Sequence, residues 1–199
     1  MIRTPQEFRR NDVKKLFDKI LKTKKIKLEP LDIVVKESLD SDFTLVDLAV
    51  NEVCGDITRT VEISEREAKG FVDGMFKACY KQYKDQHNSL KNIKLIDYQI
   101  APRFSKSKNT MGSEAETAVT LMVEVKDHGV AEFNCVSRSI LYSSFVATLE
   151  SYQFYMNCDR TFEKIKMIIE DAQSRNRGDI AQQCMSDLSL LTGVNTYAK

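Results

Sequence analysis

Two histidines, five cysteines and a scatter of serines are the residues of this chain that could carry chemistry. His87 and His128 lie far apart, and neither has a Cys, Asp or Glu at metal-ligand spacing, so helix-end and hairpin-turn roles are expected for them. Cys54, Cys79, Cys135, Cys158 and Cys184 are odd in number and form no C-x-x-C pair. They predict reduced packing thiols in a cytoplasmic protein. No Walker loop, dinucleotide fingerprint, G-x-S-x-G elbow or H-E-x-x-H helix is present. No catalytic residue, metal or cofactor is therefore assigned, and the chain is expected not to be an enzyme.

A candidate binding stretch is VSRSILYSSFVATLESY, residues 136–152. It leaves a strand-like segment, turns through small or charged residues and continues at helical spacing. A helix start of this kind exposes unpaired backbone N–H groups and a partial positive charge, which suit a carboxylate. Val136 and Ile140 beside it could hold an aliphatic group. The same serines fit a plain helix cap through Ser137 or Ser139, so the stretch supports either a site or a cap.

The elements around this stretch follow from periodicity. Pro5 and Glu7 after Thr4 suggest a capping box, and Val13, Leu16, Phe17, Ile20 and Leu21 then form one helical face. Alternation takes over at Leu31, Ile33 and Val35, then at Val46, Leu48 and Val50. After a Cys54-Gly55-Asp56 turn it resumes at Ile57, Val61 and Ile63. Ser64-Glu65-Arg66-Glu67 is a possible second capping box, leading to the stripe Val72, Met75, Phe76, Cys79 and Tyr83. The order then repeats. Ile96, Tyr98 and Ile100 alternate, a polar loop spans 105–116, and Val119, Leu121, Val123 and Val125 alternate in turn. Asp127-His128-Gly129 turns the chain into Ala131, Phe133 and Cys135, and a helix follows with the stripe Leu141, Phe145, Leu149, Tyr152 and Met156. Gly55 with Gly129, and Phe71 with Phe145, share one offset, as an internal duplication would leave. Two helical stripes close the chain, Phe162 to Ala172 and Ile180 to Leu191, with a break at Gly178-Asp179. The fold class expected is α+β, with two βββα units between flanking helices.

Three stretches resemble the C-terminal regulatory domain of the 2-isopropylmalate synthase and citramalate synthase family. Gly70-Phe71-Val72-Asp73-Gly74-Met75-Phe76-Lys77-Ala78 is similar to its G-P-V-D-A-x-x-K-A helix start. Leu95-Ile96-Asp97-Tyr98-Gln99-Ile100 is similar to its L-x-D-Y-x-V strand. Residues 135–155 are similar to G-V-S-x-N-I-I-x-A-S-x-x-A-L-x-x-S-x-x-Y at its second helix. The resemblance covers about residues 30–157. It implies a homodimer in which a branched-chain amino acid, leucine or isoleucine, binds near the interface and shuts down a separate catalytic barrel. That barrel, with its metal, its acetyl-CoA chemistry and its His-x-His motif, has no counterpart in these residues, so a partner enzyme such as an acyltransferase is expected. Cys135, Phe71 and Ser143 depart from the family's glycine, proline and small residue and put larger side chains near the turn.

With the junction, this gives an expected effector site of Asp97, Tyr98, Val136, Ser137, Ile140 and Ser144. Asp97 and Tyr98 would close the pocket from the facing strand. The organisation expected is an N-terminal helix over 1–29, the regulatory unit over 30–158 and a helical extension over 159–199. Phe71, Tyr80 and Phe154 lie off the main stripes, and a partner chain would cover them.

Composition limits the alternatives. Apolar residues are 42% and charged residues 30%, an ordinary globular profile. Thirty basic against 29 acidic residues leave a formal charge of +1, so no global field draws nucleic acid, which is not the expected partner. No membrane span or leader is evident. Basic residues cluster only at 22–27 and 103–108; a solvated helix end and a hairpin loop are the expectations there, with phosphate or nucleic-acid binding and a pure assembly module as the alternative functions.

Overall fold

Each alternating run becomes a strand, because a half-buried sheet face needs apolar side chains at every second position. The computed structural model describes residues 5–37, 40–103, 116–195 and 197. Helix α1 (Pro5–Ile20) leads through a 3-10 turn at Lys22–Lys24 into β1 (Ile26–Glu37), β2 (Thr44–Cys54), β3 (Ile57–Ala68) and α2 (Phe71–Tyr83). A second 3-10 turn (Asn88–Asn92) precedes β4 (Ile93–Arg103), β5 (Glu116–Val125), β6 (Gly129–Ser137) and α3 (Ile140–Ser174), and α4 (Gly178–Thr192) follows. The sheets are separate antiparallel meanders, ordered β1-β2-β3 and β4-β5-β6. The fold is α+β, two βββα units with helices at both ends.

The two sheets share one core. Val46, Leu48 and Val50 of β2 and Leu121, Val123 and Val125 of β5 belong to the same buried cluster as Phe76, Tyr83, Phe145 and Tyr152. Helix α3 is its centre, packing on β5 and β6 of its own unit, on β1 of the other and on α1, α2 and α4. Burial on more than one side explains its composition. Ser143, Ser144, Ala147, Thr148 and Ser151 are all buried, and small residues let the neighbours approach closely. Their hydroxyls are satisfied locally: Ser144 donates to the Ile140 carbonyl at 2.7 Å, Thr148 to Ser144 at 2.8 Å and Ser151 to Thr148 at 2.7 Å. Asn157 gives α3 its tie to sheet 1. Its amide exchanges two 2.8 Å bonds with the backbone of Ile26, as a neighbouring strand would, and closes part of the β1 edge.

Several expectations shift in the structure. β1 begins at Ile26, before Pro30, and buries Ile26 and Leu28, so the boundary at 29/30 falls within a strand. The boundary at 158/159 falls inside α3, a single 35-residue helix. Ser64-Glu65-Arg66-Glu67 caps no helix; it is still β3, where Ser64 donates to Asp47 at 2.6 Å and Arg66 pairs with the same carboxylate across the sheet. The cap of α2 is Gly70, at φ +117°, where a side chain would be strained. Phe154 needs no partner chain, because Phe17 of α1 covers it at 5.5 Å. Leu141 is half exposed, and the stripe starts at Phe145. Thr4 and most of the polar loop (104–115) lie outside the described residues.

The duplication is real in topology but not at the shared glycine offset. Gly55 sits within the first hairpin turn, whereas Gly129 is already paired with Val125 at the start of β6. The units match instead at a bulge. Leu31 falls out of register between Pro30 and Asp32, and Ile96 between Leu95 and Asp97. In both, the following aspartate accepts the next residue's N–H at 2.8 Å, Asp32 from Ile33 and Asp97 from Tyr98. The bulges turn Leu31 and Ile96 outward, 57% and 45% exposed, against the simple alternation.

Candidate functional site

β6 delivers the chain to α3 through Ser137, Arg138 and Ser139, and this junction faces the inner side of β4. Ser139 is the N-cap, accepting the Tyr142 N–H at 3.2 Å. Ser137 Oγ donates to the Ser139 carbonyl at 2.9 Å, accepts the Ser139 N–H at 3.1 Å and meets Ser143 Oγ at 2.7 Å. Tyr98 brings its hydroxyl to 3.2 Å from Ser144 Oγ, with the Phe71 ring edge-on at 6.1 Å. Burial raises the Tyr98 phenol above its ordinary value, with the Ser144 bond opposing. Burial likewise raises the Cys135 thiol on the neighbouring strand end, with Ser143 opposing.

The structure thus brings Tyr98, Ser137, Ile140 and Ser144 together and adds Ser139 and Ser143. Asp97 and Val136 are elsewhere. Asp97 pairs with Met122 and Val136 with Ala118, which puts both on the outer face of the sheet, opposite Tyr98 and Ser137. The Asp97 carboxylate holds the Tyr98 N–H and the Gln99 amide. Alternation alone separates these neighbours, since adjacent strand residues point to opposite faces.

The serine hydroxyls are largely occupied within the chain, so the cap is in place. The N–H groups of Ile140 and Leu141, the first two helical residues, have no acceptor within the helix. Apolar surface adjoins them. Ile140 and Leu141 are each 39% exposed, and Ile100, two residues beyond Tyr98 on the same face of β4, is also exposed. The arrangement can take a carboxylate on backbone donors and an aliphatic group beside it; it holds no acid–base pair.

The lysines of 22–27 are not a uniform solvated end. Lys22, Lys25 and Lys27 join Lys14 around a cleft of about 480 Å³ floored by Phe17, Ile26 and Phe154. Two are already paired, Lys25 with Asp18 and Lys27 with Glu29. His87, expected at a helix end, is buried with 9% exposure, and burial, then the Arg160 charge, pushes its imidazole down to about 4. Its sequence position after the polar end of α2 carries no sign of this, because α1 and α3 do the covering.

Among the described residues no group of three or more His, Cys, Asp or Glu could hold a metal ion, and no helix is long and apolar enough to cross a membrane. All five cysteines are free thiols. A scan against models of known families finds no match, and a search of curated proteins finds none either.

Proposed function

We propose that the chain is a non-catalytic regulatory and dimerisation domain of the 2-isopropylmalate and citramalate synthase type, which senses leucine, isoleucine or a related small acid. The observation that carries this reading is the meeting of Tyr98 with Ser144 at the start of α3, where helix N–H groups adjoin exposed Ile140, Leu141 and Ile100. The ligand carboxylate would bind the first-turn N–H groups and its aliphatic part would cover Ile140. A second copy of the chain would cover the apolar remainder and pass the signal to a partner enzyme, in a cytoplasmic setting that the five free thiols suit.

Calorimetry tests it. Wild-type protein should bind leucine or isoleucine. Ile140→Asp, which sets a carboxylate against the ligand's own charge, should stay folded by circular dichroism and weaken the binding event at the junction by several kcal/mol. Wild type that binds neither at millimolar ligand would leave a pure assembly module. The lysine cleft favours a second reading, a phosphate or nucleic-acid binder. Under it, binding to RNA, DNA or inorganic phosphate should weaken steeply with salt and with Lys22→Gln.

A further inference from the structure

A second cavity, of about 320 Å³, opens between the end of α1, the segment after α2 and the middle of α3. Its volume is at the small end of the range of ligand sites. His87, Asp159 and Glu163 line it together with the cations Lys24, Arg160 and Lys164, and Leu21 and Met167 form an apolar wall. Arg160 to Ile140 is 20 residues along one helix, about 30 Å, so the cavity is remote from the serine junction.

Two independent features of this cavity point to a ligand. The first is His87, more than nine-tenths buried, whose imidazole has no hydrogen-bond partner among the described residues although its backbone is fully used. A neutral imidazole carries one donor and one acceptor, and here the ring borders the open cavity, where a ligand can meet them. The second is charge. Arg160 is half buried and spends one N–H on the Cys54 thiol, at 3.1 Å. Asp159 accepts the Ser89 N–H at 3.0 Å. None of the ion pairs found among the described residues involves Arg160, Asp159 or Glu163. Charges of both signs therefore line one cavity, Lys24, Arg160 and Lys164 against Asp159 and Glu163, beside the imidazole and an apolar wall.

We propose that this cavity binds a small zwitterion with an apolar body, the chemistry of an aliphatic α-amino acid. Its carboxylate lies on Arg160 with a hydrogen bond from His87, its ammonium on Asp159 and Glu163, and its side chain against Leu21 and Met167. The site uses different elements from the junction at Ser137 and does not rest on the reading given for it.

His87 and His128 are the only histidines, so imidazole NMR signals, assigned with His128→Gln, report the site directly. Titration with L-leucine and L-isoleucine should move the His87 signals saturably and leave those of His128 in place. 4-Methylpentanoate, which lacks the ammonium, and isoamylamine, which lacks the carboxylate, should each bind at least tenfold more weakly. Arg160→Gln should weaken binding at least tenfold. Should that variant fail to fold, Glu163→Gln, an exposed change, should still weaken leucine more than 4-methylpentanoate. Ile140→Asp should leave the His87 titration unchanged. His87 signals unmoved at millimolar amino acid would overturn the proposal without touching the junction. Equal binding of the singly charged analogues would overturn it too, as would a His87 response abolished by Ile140→Asp.

Discussion

Glu65 shows how a single charge is kept inside the fold. Only 2% exposed, it stands on the inner face of β3, with its Oε1 accepting the N–H groups of Arg66 and Glu67 at 3.1 Å. Lys81 of α2 reaches Oε2 at 2.7 Å, an ionic contact rather than an aligned hydrogen bond. Burial pushes the carboxyl up, but Lys81 and the two N–H groups together outweigh it and hold the group below its ordinary value. Lys81→Met strands this carboxylate and should cost about 2–3 kcal/mol in urea unfolding, with part recovered in Lys81→Met/Glu65→Gln. An unchanged midpoint would show that the backbone donors suffice. His87 gives the opposite pH signature to an ion-paired histidine. Its folded value, about 4, lies below the unfolded 6.5, so the unfolded chain binds more protons between them. Stability should therefore fall as pH drops from about 6.5 to about 4, by at most about 3 kcal/mol from this group. His87→Gln should flatten that limb in melting scans, and an identical slope in the variant would assign the loss to other groups.

At the scale of elements, α2 sits on sheet 1 at a spacing that excludes even a methyl group. A Cβ built on Gly74 would come to 2.5 Å from Val46 Cγ2 and 3.1 Å from the Ala68 Cβ. Both belong to the sheet, so the helix would have to lift. Gly74→Ala gains up to about 1 kcal/mol of helix propensity and loses about 1–3 kcal/mol to overpacking. A net loss of about 1 kcal/mol is expected, and Val46→Ala in the same chain should restore part of it. If Gly74→Ala melted higher than wild type, the close approach would not be limiting. The two bulges matter at the same scale. They re-aim the strand so that Leu95 and Tyr98 share the inner face while Ile96 turns out, which puts the Tyr98 hydroxyl on Ser144.

At the scale of the molecule, α3 joins everything and then runs on. Its second half buries Thr161 and Ile165, α4 adds Cys184 and Leu191 to the common core, and Lys19 of α1 meets Asp187 of α4 at 2.6 Å. Removing residues 160–199 should therefore lower the melting temperature markedly, and an unchanged curve would mean that the first 159 residues are self-sufficient. Exposed Leu31, Ile96, Ile100, Ile140 and Leu141 motivate the dimer. Light scattering should give twice the chain mass of 22.8 kDa. The monomer mass at micromolar concentration would remove the dimer from the proposed function.

The sequence by itself determined the kinds and order of the elements. Alternation at Val46, Leu48 and Val50 or at Val119, Leu121, Val123 and Val125, and the stripe of Val72, Met75, Phe76, Cys79 and Tyr83, are local patterns, and each of these residues is buried. The resemblance put Tyr98, Ser137 and Ser144 in one expected site together with Asp97 and Val136, and strand pairing turns the last two to the outer face of the sheet. Only the tertiary structure decided what depends on distant partners. The bulges at Leu31 and Ile96 are set by pairing with β2 and β5, and the start of β1 at Ile26 depends on Asn157, 131 positions away. The burial of His87 beside Arg160, and of Phe154 under Phe17, needs helices that meet only once the chain has folded. Periodicity records which face of an element is apolar; which neighbour covers it is fixed by packing between segments remote in sequence.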